Sequence, residues 1–253
     1  MKKDKLIKTG VKTVIAGGTT ALGTVLGGPL GTVAGGVIGA GMSTVLSDGI
    51  GDFLDRQLSK QEQKRVKSVY ELTKTKIQEN IETGKTLRSD IEPEQLEETF
   101  LIAKSTTDER KLPFMANLYA NTLFDESISN EQISYLIKTA SQLQYQELCQ
   151  LSLFARKNNY PLKDSNYHDY QGITLKRDFL LILHQVYSLM NQDLLECEGI
   201  AILGITDLNP HKTRLTITGK LLFHYMELNT ISDTEIKNLQ TIINYSISEA
   251  KSE

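Results

Sequence analysis

The chain of 253 residues has no tryptophan, two cysteines and five prolines. Cys149 and Cys197 form no pairing motif, which excludes a disulfide framework. Both fall in apolar contexts expected to be helical and read as buried, reduced thiols. The four histidines, His168, His184, His211 and His224, show no ligand spacing, so no metal and no cofactor is expected. A net charge of −3 lacks the basic signature of a nucleic-acid binder, and nucleic acid is not an expected partner. No P-loop, nucleophile elbow, paired catalytic carboxylates or zinc motif is present. The most telling absence is local: no residue from Thr13 to Ser47 is charged.

What fills that uncharged stretch is glycine at fixed spacing. Gly23, Gly27, Gly31, Gly35 and Gly39 stand four apart without interruption. In a helix they share nearly one face, a groove without side chains that admits another helix backbone to backbone. In water the same stretch holds a helix poorly, because each glycine costs roughly 0.8–1 kcal/mol relative to alanine. The segment therefore needs a membrane, a tightly packed partner, or disorder as a flexible linker. Lys2, Lys3, Lys5, Lys8 and Lys12 precede it, and Asp48, Asp52 and Asp55 follow. A basic head before an apolar run raises a signal peptide, but this run is long, rich in glycine and without a clear cleavage site. One tilted helix is long enough to span. Alternatively, the chain turns at Gly27-Gly28-Pro29-Leu30, where Pro29 cannot donate to the Val25 carbonyl, and makes a hairpin that keeps both ends in the cytosol under the positive-inside tendency. Ten glycines and eight Ser/Thr dilute the Val, Leu and Ile of this segment. That leaves a third reading, a glycine-rich hairpin buried in a soluble oligomer.

The rest of the chain reads as a helical protein. The expected organisation is a basic tail over 1–12, a glycine-zipper membrane segment over 13–47, an amphipathic linker helix within 48–90 and a soluble helical domain over 91–253. Ser59-x-x-Glu62 is a capping box; Val66, Val69, Tyr70, Thr73, Ile77 and Ile81 follow at helical spacing, with Gly84 as the stop. Pro93 opens a second helix. Phe114/Met115, Leu118 and Thr122 mark the inner face of a third. Ser129-x-x-Gln132 caps a fourth, with Ile133, Leu136, Ile137, Ala140 and Leu143 inward. A fifth covers about Tyr145–Arg156. Phe179–Met190 is apolar nearly all round and is expected to be the central core helix. The period then changes: Ile200, Ile202, Ile205 and Thr206 read as a strand, Asp207–Pro210 as a turn, and Arg214–Thr218 as the returning strand. Gly219-Lys220 opens a helix to Met226, and Ser232-x-x-Glu235 caps the last one, carrying Ile236, Leu239, Ile243 and Ile247. The fold class is thus mainly α, with a small winged-helix-like β-hairpin near the C-terminus.

One spacing carries candidate chemistry. Arg177-Asp178, five apolar residues and His184 resemble the R-polar-x-H signature of HEPN ribonucleases. Arg and His seven apart share a helix face, where they would bind a phosphate and support in-line attack by a ribose hydroxyl. The plainer reading makes Arg177 a surface charge and His184 a satisfied core-edge histidine. Lys212, Arg214 and Lys220 lie at the hairpin, but the preceding acids Asp193, Glu196 and Glu198 favour a protein-packing or sensing wing over a DNA reader.

The stretch Glu109–Leu151 resembles the abortive-infection alpha family of bacterial phage-defence proteins. The matching residues are Leu118-Tyr119-Ala120-Asn121-Thr122-Leu123, then Ile133/Leu136/Ile137, then Leu143 and Glu147-Leu148. Leu215-Thr216-Ile217-Thr218-Gly219-Lys220-Leu221 is similar to that family's end. The resemblance implies a helical protein of abortive infection and no defined catalytic residues. Together these features lead to one expectation: a non-enzymatic effector at the bacterial inner membrane. It would be a homo-oligomer through its glycine zipper, with a cytoplasmic helical part answering a protein partner or phage-derived trigger. Two alternatives stand: a membrane-tethered HEPN-like ribonuclease using Arg177 and His184, and a membrane-anchored scaffold or immunity protein.

Overall fold

The computed structural model describes residues 50, 51, 53, 54, 57–164, 177–199 and 204–249. It is mainly helical: eight α-helices and one two-stranded antiparallel sheet among the described residues. The chain divides into two compact units, Met1–Ile137 and Lys138–Glu253.

The first unit is built on α1 (Lys60–Glu82), α2 (Pro93–Ser105) and α3 (Leu112–Thr122). The capping box forms as its residues dictate: Ser59 N donates to Glu62 Oε2 at 2.7 Å and Glu62 N to Ser59 Oγ at 3.3 Å. Helix α1 ends where Gly84 takes φ +83°, the left-handed turn that glycine enters without a Cβ penalty. Arg65 binds Thr106 O, and Lys104 Nζ stands 3.8 Å from Glu62, so the end of α2 lies beside the start of α1 and the two run antiparallel. Asn80 Nδ2 donates to Asn121 Oδ1 at 2.9 Å, which sets α3 parallel to α1. Val66, Val69 and Ile77 of α1, Phe100 and Ala103 of α2, and Met115, Leu118 and Tyr119 of α3 are fully buried. The helix read as an amphipathic linker is therefore a wall of this core.

Helix α4 (Asn130–Gln142) contains the boundary between the units. Ser129 and Gln132 cap it reciprocally, at 2.9 and 3.3 Å.

In the second unit the central helix is α5 (Tyr145–Ala155), packed against all its neighbours: α6 (Arg177–Asn191), β2 (Thr213–Leu215), α7 (Ile217–Tyr225) and α8 (Asp233–Glu249). This corrects the expectation for Phe179–Met190. Leu181 of α6 is 53% exposed, so α6 is amphipathic, whereas α5 is buried at Tyr145 and from Glu147 to Phe154. Composition hid this, because α5 carries polar residues that find internal partners, although Gln150 Oε1 is left without one. Glu147 accepts from Gln144 N at 2.7 Å, Ser152 Oγ donates to Leu228 O at 2.8 Å, and Gln150 Nε2 donates to Gln185 Oε1 at 2.7 Å.

The hairpin forms one segment earlier than its isoleucines suggested. Strand β1 is Leu195–Cys197, paired with β2 in the register Leu195↔Leu215 and Cys197↔Thr213. Leu195 and Leu215 are both buried, and this cross-strand pair fixes the register. Ile205–Asp207 is a 3-10 turn, closed by Gly204 N donating to Asp207 Oδ2 at 3.0 Å; Ile200 and Ile202 lie outside the described residues. Cys197 accordingly sits in a strand and not in a helix. The return strand stops at Leu215, because Thr216 turns to cap α7: its hydroxyl accepts from Gly219 N at 3.1 Å. Ile217 and Thr218, expected as strand, are the first helical residues.

Candidate functional sites

Gly23, Gly27, Gly31, Gly35, Gly39 and Pro29 lie outside the described residues. The chain that follows them is anchored. Ile50 and Phe53 are buried, and the Phe53 ring meets Phe100 of α2 edge-on, 5.7 Å between centroids. Ile50 and Phe53, the described residues nearest the ladder in sequence, are thus part of the first unit's core. Among the described residues no helix is long and apolar enough to cross a membrane.

Arg177 and His184 both lie on the solvent face of α6. The opposite face, with Phe179, Ile182, Leu183, Val186 and Leu189, is buried. Two helical turns separate the pair, a rise of about 10 Å, and exposed Leu181 stands between them. A single helix presents these two side chains on a convex surface, open to water. A cavity of about 10 Å³ lies on the buried side, lined by Phe154, Ile182, Leu183, Val186, Leu208, Pro210, Thr213 and Ile243. It is apolar, has room for about one water, and includes neither Arg177 nor His184.

At the hairpin, Arg214 is engaged by the facing strand and the residue after it. Its Nε donates to Glu196 Oε1 at 2.9 Å and its Nη1 to Glu198 Oε1 at 3.2 Å. A guanidinium forked between two carboxylates is not free for a phosphate. Among the described residues no group of three or more His, Cys, Asp or Glu is placed to hold a metal.

Three polar clusters escaped the sequence reading, because each joins residues distant along the chain. In the first unit Asn80 meets Asn121, and Lys85 Nζ donates to Asn80 Oδ1 at 2.9 Å. In the second, Gln185 Nε2 reaches Gln146 Oε1 at 3.3 Å while its Oε1 accepts from Gln150. The third fastens α8 to the end of α5. Tyr160 Oη donates to Asp233 Oδ1 at 2.6 Å, Arg156 binds the same carboxylate, and the Arg156 guanidinium sits 5.0 Å over the Tyr160 ring. The Tyr160 hydroxyl and then Arg156 hold the Asp233 carboxyl below its usual range. Two residues on in α8, Glu235 accepts from Tyr145 Oη, at the start of α5, at 2.9 and 3.0 Å. The visible signal was polar residues inside apolar runs, such as Asn121 and Gln150.

Leu118 to Leu123, the first stretch quoted for the family resemblance, are all buried and build core, whereas Ile217 in the closing stretch is 78% exposed. Within that core the Tyr119 hydroxyl, together with Thr73 Oγ1 on α1, is buried without a hydrogen-bond partner. Burial pushes the Tyr119 hydroxyl far above the usual tyrosine range. Compared with protein-family models, with curated proteins and with solved structures, the chain matches none.

Proposed function

We propose that this protein is a membrane-associated effector of bacterial defence, of the abortive-infection type, that oligomerises through its glycine ladder and perturbs the inner membrane. The observation that carries the reading is the absence of charge from Thr13 to Ser47 combined with glycine at every fourth position from 23 to 39. Support comes from what the described surface offers such a segment. Its exposed large apolar side chains are Leu72, Leu101, Tyr135, Leu181, Ile217 and Ile242, spread over six helices. On this reading, lipid or other copies of the chain cover the 35 uncharged residues. Close helix approach along the ladder supplies the packing, and Pro29 supplies the break of a hairpin. The α6-β1-β2-α7 run is read as a winged-helix-like module for protein packing or sensing, because Arg214 is already committed to Glu196 and Glu198.

The test is expression of Gly27→Leu/Gly31→Leu/Gly35→Leu, scored for membrane potential and for retention in carbonate-washed membranes. Loss of depolarisation is expected; undiminished toxicity sinks the mechanism. A membrane-tethered ribonuclease remains the second reading, favoured by the solvent exposure of both Arg177 and His184. Full activity in both Arg177→Ala and His184→Ala removes it. A scaffold or immunity protein predicts no toxicity when the chain is expressed alone.

A further inference from the structure

The basic residues of α1 fall into two groups. Lys64 Nζ stands 3.6 Å from Glu109, Lys76 Nζ stands 3.2 Å from Glu79, and Arg65 binds Thr106 O. Lys60, Lys67 and Lys74 have no ion pair among the described residues. Lys60 and Lys67 are exposed and Lys74 is half-buried. They stand seven apart, two helical turns and a rise of about 10 Å each time. They therefore form one row along the flank of α1, off the face that buries Val66, Val69, Thr73 and Ile77. Glu71, exposed beside the row, is the acid that offsets it. From Lys60 to Lys76 six basic residues stand against two acids, Glu62 and Glu71, in a chain whose net charge is −3. This placement also runs against the helix macrodipole, which favours acids at the start of a helix and bases at its end. Beside the cap residue Glu62 the first turn carries Lys60, and the last turn carries Glu79 and Glu82 with no base. Local helix stability does not account for the row.

The second observation is a short tether. The uncharged stretch ends at Ser47, and Ile50, three residues on, is buried. Three residues reach at most about 10 Å, close to the Debye length of about 8 Å at physiological ionic strength. With 13–47 in a bilayer, the first unit lies within the field of the headgroups, and its basic side is drawn toward them. We propose that the row of Lys60, Lys67 and Lys74 seats the first unit on an anionic lipid surface, whose headgroups supply the counter-charges that the chain withholds. This rests on the reading that 13–47 is a membrane segment, and it adds a lipid preference to that reading. Lipid is favoured over nucleic acid because the tether holds the row beside a bilayer at high effective concentration.

The experiment synthesises the full-length chain in the presence of neutral phosphatidylcholine vesicles or of vesicles that also contain phosphatidylglycerol. The vesicles are floated, and the acetylation rate of each lysine is read by mass spectrometry. Lys60, Lys67 and Lys74 are expected to react about fivefold more slowly on anionic vesicles than on neutral ones or in solution, the factor that matches a bilayer's attraction for one surface lysine. Lys138, Lys220 and Lys237, exposed in the second unit, keep their rates. Salt at about 1 M, where the Debye length is about 3 Å, removes the protection. Lys60→Gln/Lys67→Gln/Lys74→Gln keeps the helix propensity and loses the preference for anionic over neutral vesicles, about fivefold per lysine. Equal protection of all six lysines, or an anionic preference retained by the triple variant, overturns the proposal. Loss of binding to a DNA duplex in that variant, with vesicle binding unchanged, assigns the row to nucleic acid and overturns it too. Flotation with neutral vesicles reports the membrane segment separately. A chain that floats only with anionic vesicles, its row protected, sinks the membrane-segment reading and leaves the row standing. One that floats with both, its row unprotected, does the reverse, and one that floats with neither sinks both.

Discussion

Gly219→Ala separates helix propensity from packing because the two predict opposite signs. Gly219 sits in the first turn of α7, and there alanine is the better helix former by roughly 0.8–1 kcal/mol. Local reasoning therefore expects the substitution to stabilise. The surroundings forbid it. A Cβ at position 219 would stand closer to Leu194 O than the 3.0 Å real Cβ atoms keep, 3.1 Å from Leu194 C and 3.4 Å from Leu215 Cβ. The obstacle is main chain, which cannot rotate away as a side-chain tip does. Leu194 O also accepts from Thr216 N at 3.2 Å, so its retreat costs that bond, about 0.5–1.5 kcal/mol. Overpacking adds about 1–3 kcal/mol. Set against the propensity gain, the net is a destabilisation of about 1–3 kcal/mol, or roughly 3–15 °C in the melting temperature of a unit this size. The assay is thermal unfolding followed by far-UV circular dichroism. Gly204→Ala is the control, because nothing lies within 4 Å of a Cβ there. A melting temperature equal to or above wild type for Gly219→Ala refutes the packing argument.

Asp193 holds φ +56°, and Asp193→Gly relieves that left-handed conformation; a gain of up to about 1 kcal/mol is expected from chemical denaturation. Asn121→Leu leaves Asn80 Nδ2 buried without its acceptor and costs about 1–3 kcal/mol. The double variant Asn80→Leu/Asn121→Leu costs less than the two singles summed, which a double-mutant cycle measures. The Asp233 carboxyl is held low by Tyr160 and Arg156, and Asp90 by Arg88. Their folded pKa values lie below the unfolded value near 3.9. The stability they contribute is therefore complete well above that value and is lost as pH falls through the folded values. Melting temperature is expected to hold from pH 7 to 5 and drop below about pH 4. Asp233→Asn lowers it at pH 7, and the difference from wild type narrows as pH falls through the folded carboxyl's range.

The helix starts were legible because their chemistry is local. Ser59-Glu62, Ser129-Gln132 and Ser232-Glu235 each meet backbone groups within three residues, Ser232 Oγ accepting from Glu235 N at 3.3 Å as the spacing demands, and Pro93 opens its helix by its fixed φ. Core faces such as Ile133/Leu136/Ile137 followed from the helical period alone. The hairpin was displaced because a run of isoleucines outweighed Leu195 and Leu215, whose pairing depends on a core the sequence does not display. Helix α5 was underrated because Glu147, Gln150 and Ser152 look like surface residues until their partners, one of them 76 residues away, are in place. Of the two candidate sites, the ladder is wholly a sequence feature. The Arg177–His184 pair was found by spacing, and its exposure was decided by which face of α6 the second unit buries.

The sequence by itself determined the uncharged segment, its glycine period and the caps that start the helices, since each depends on neighbours a few residues apart. Only the tertiary structure decided that α1 is core, that α5 is central, that Gly219 admits no side chain and that Thr73 and Tyr119 bury hydroxyls with no partner. Those outcomes depend on what stands opposite a residue in space, and no local pattern encodes that.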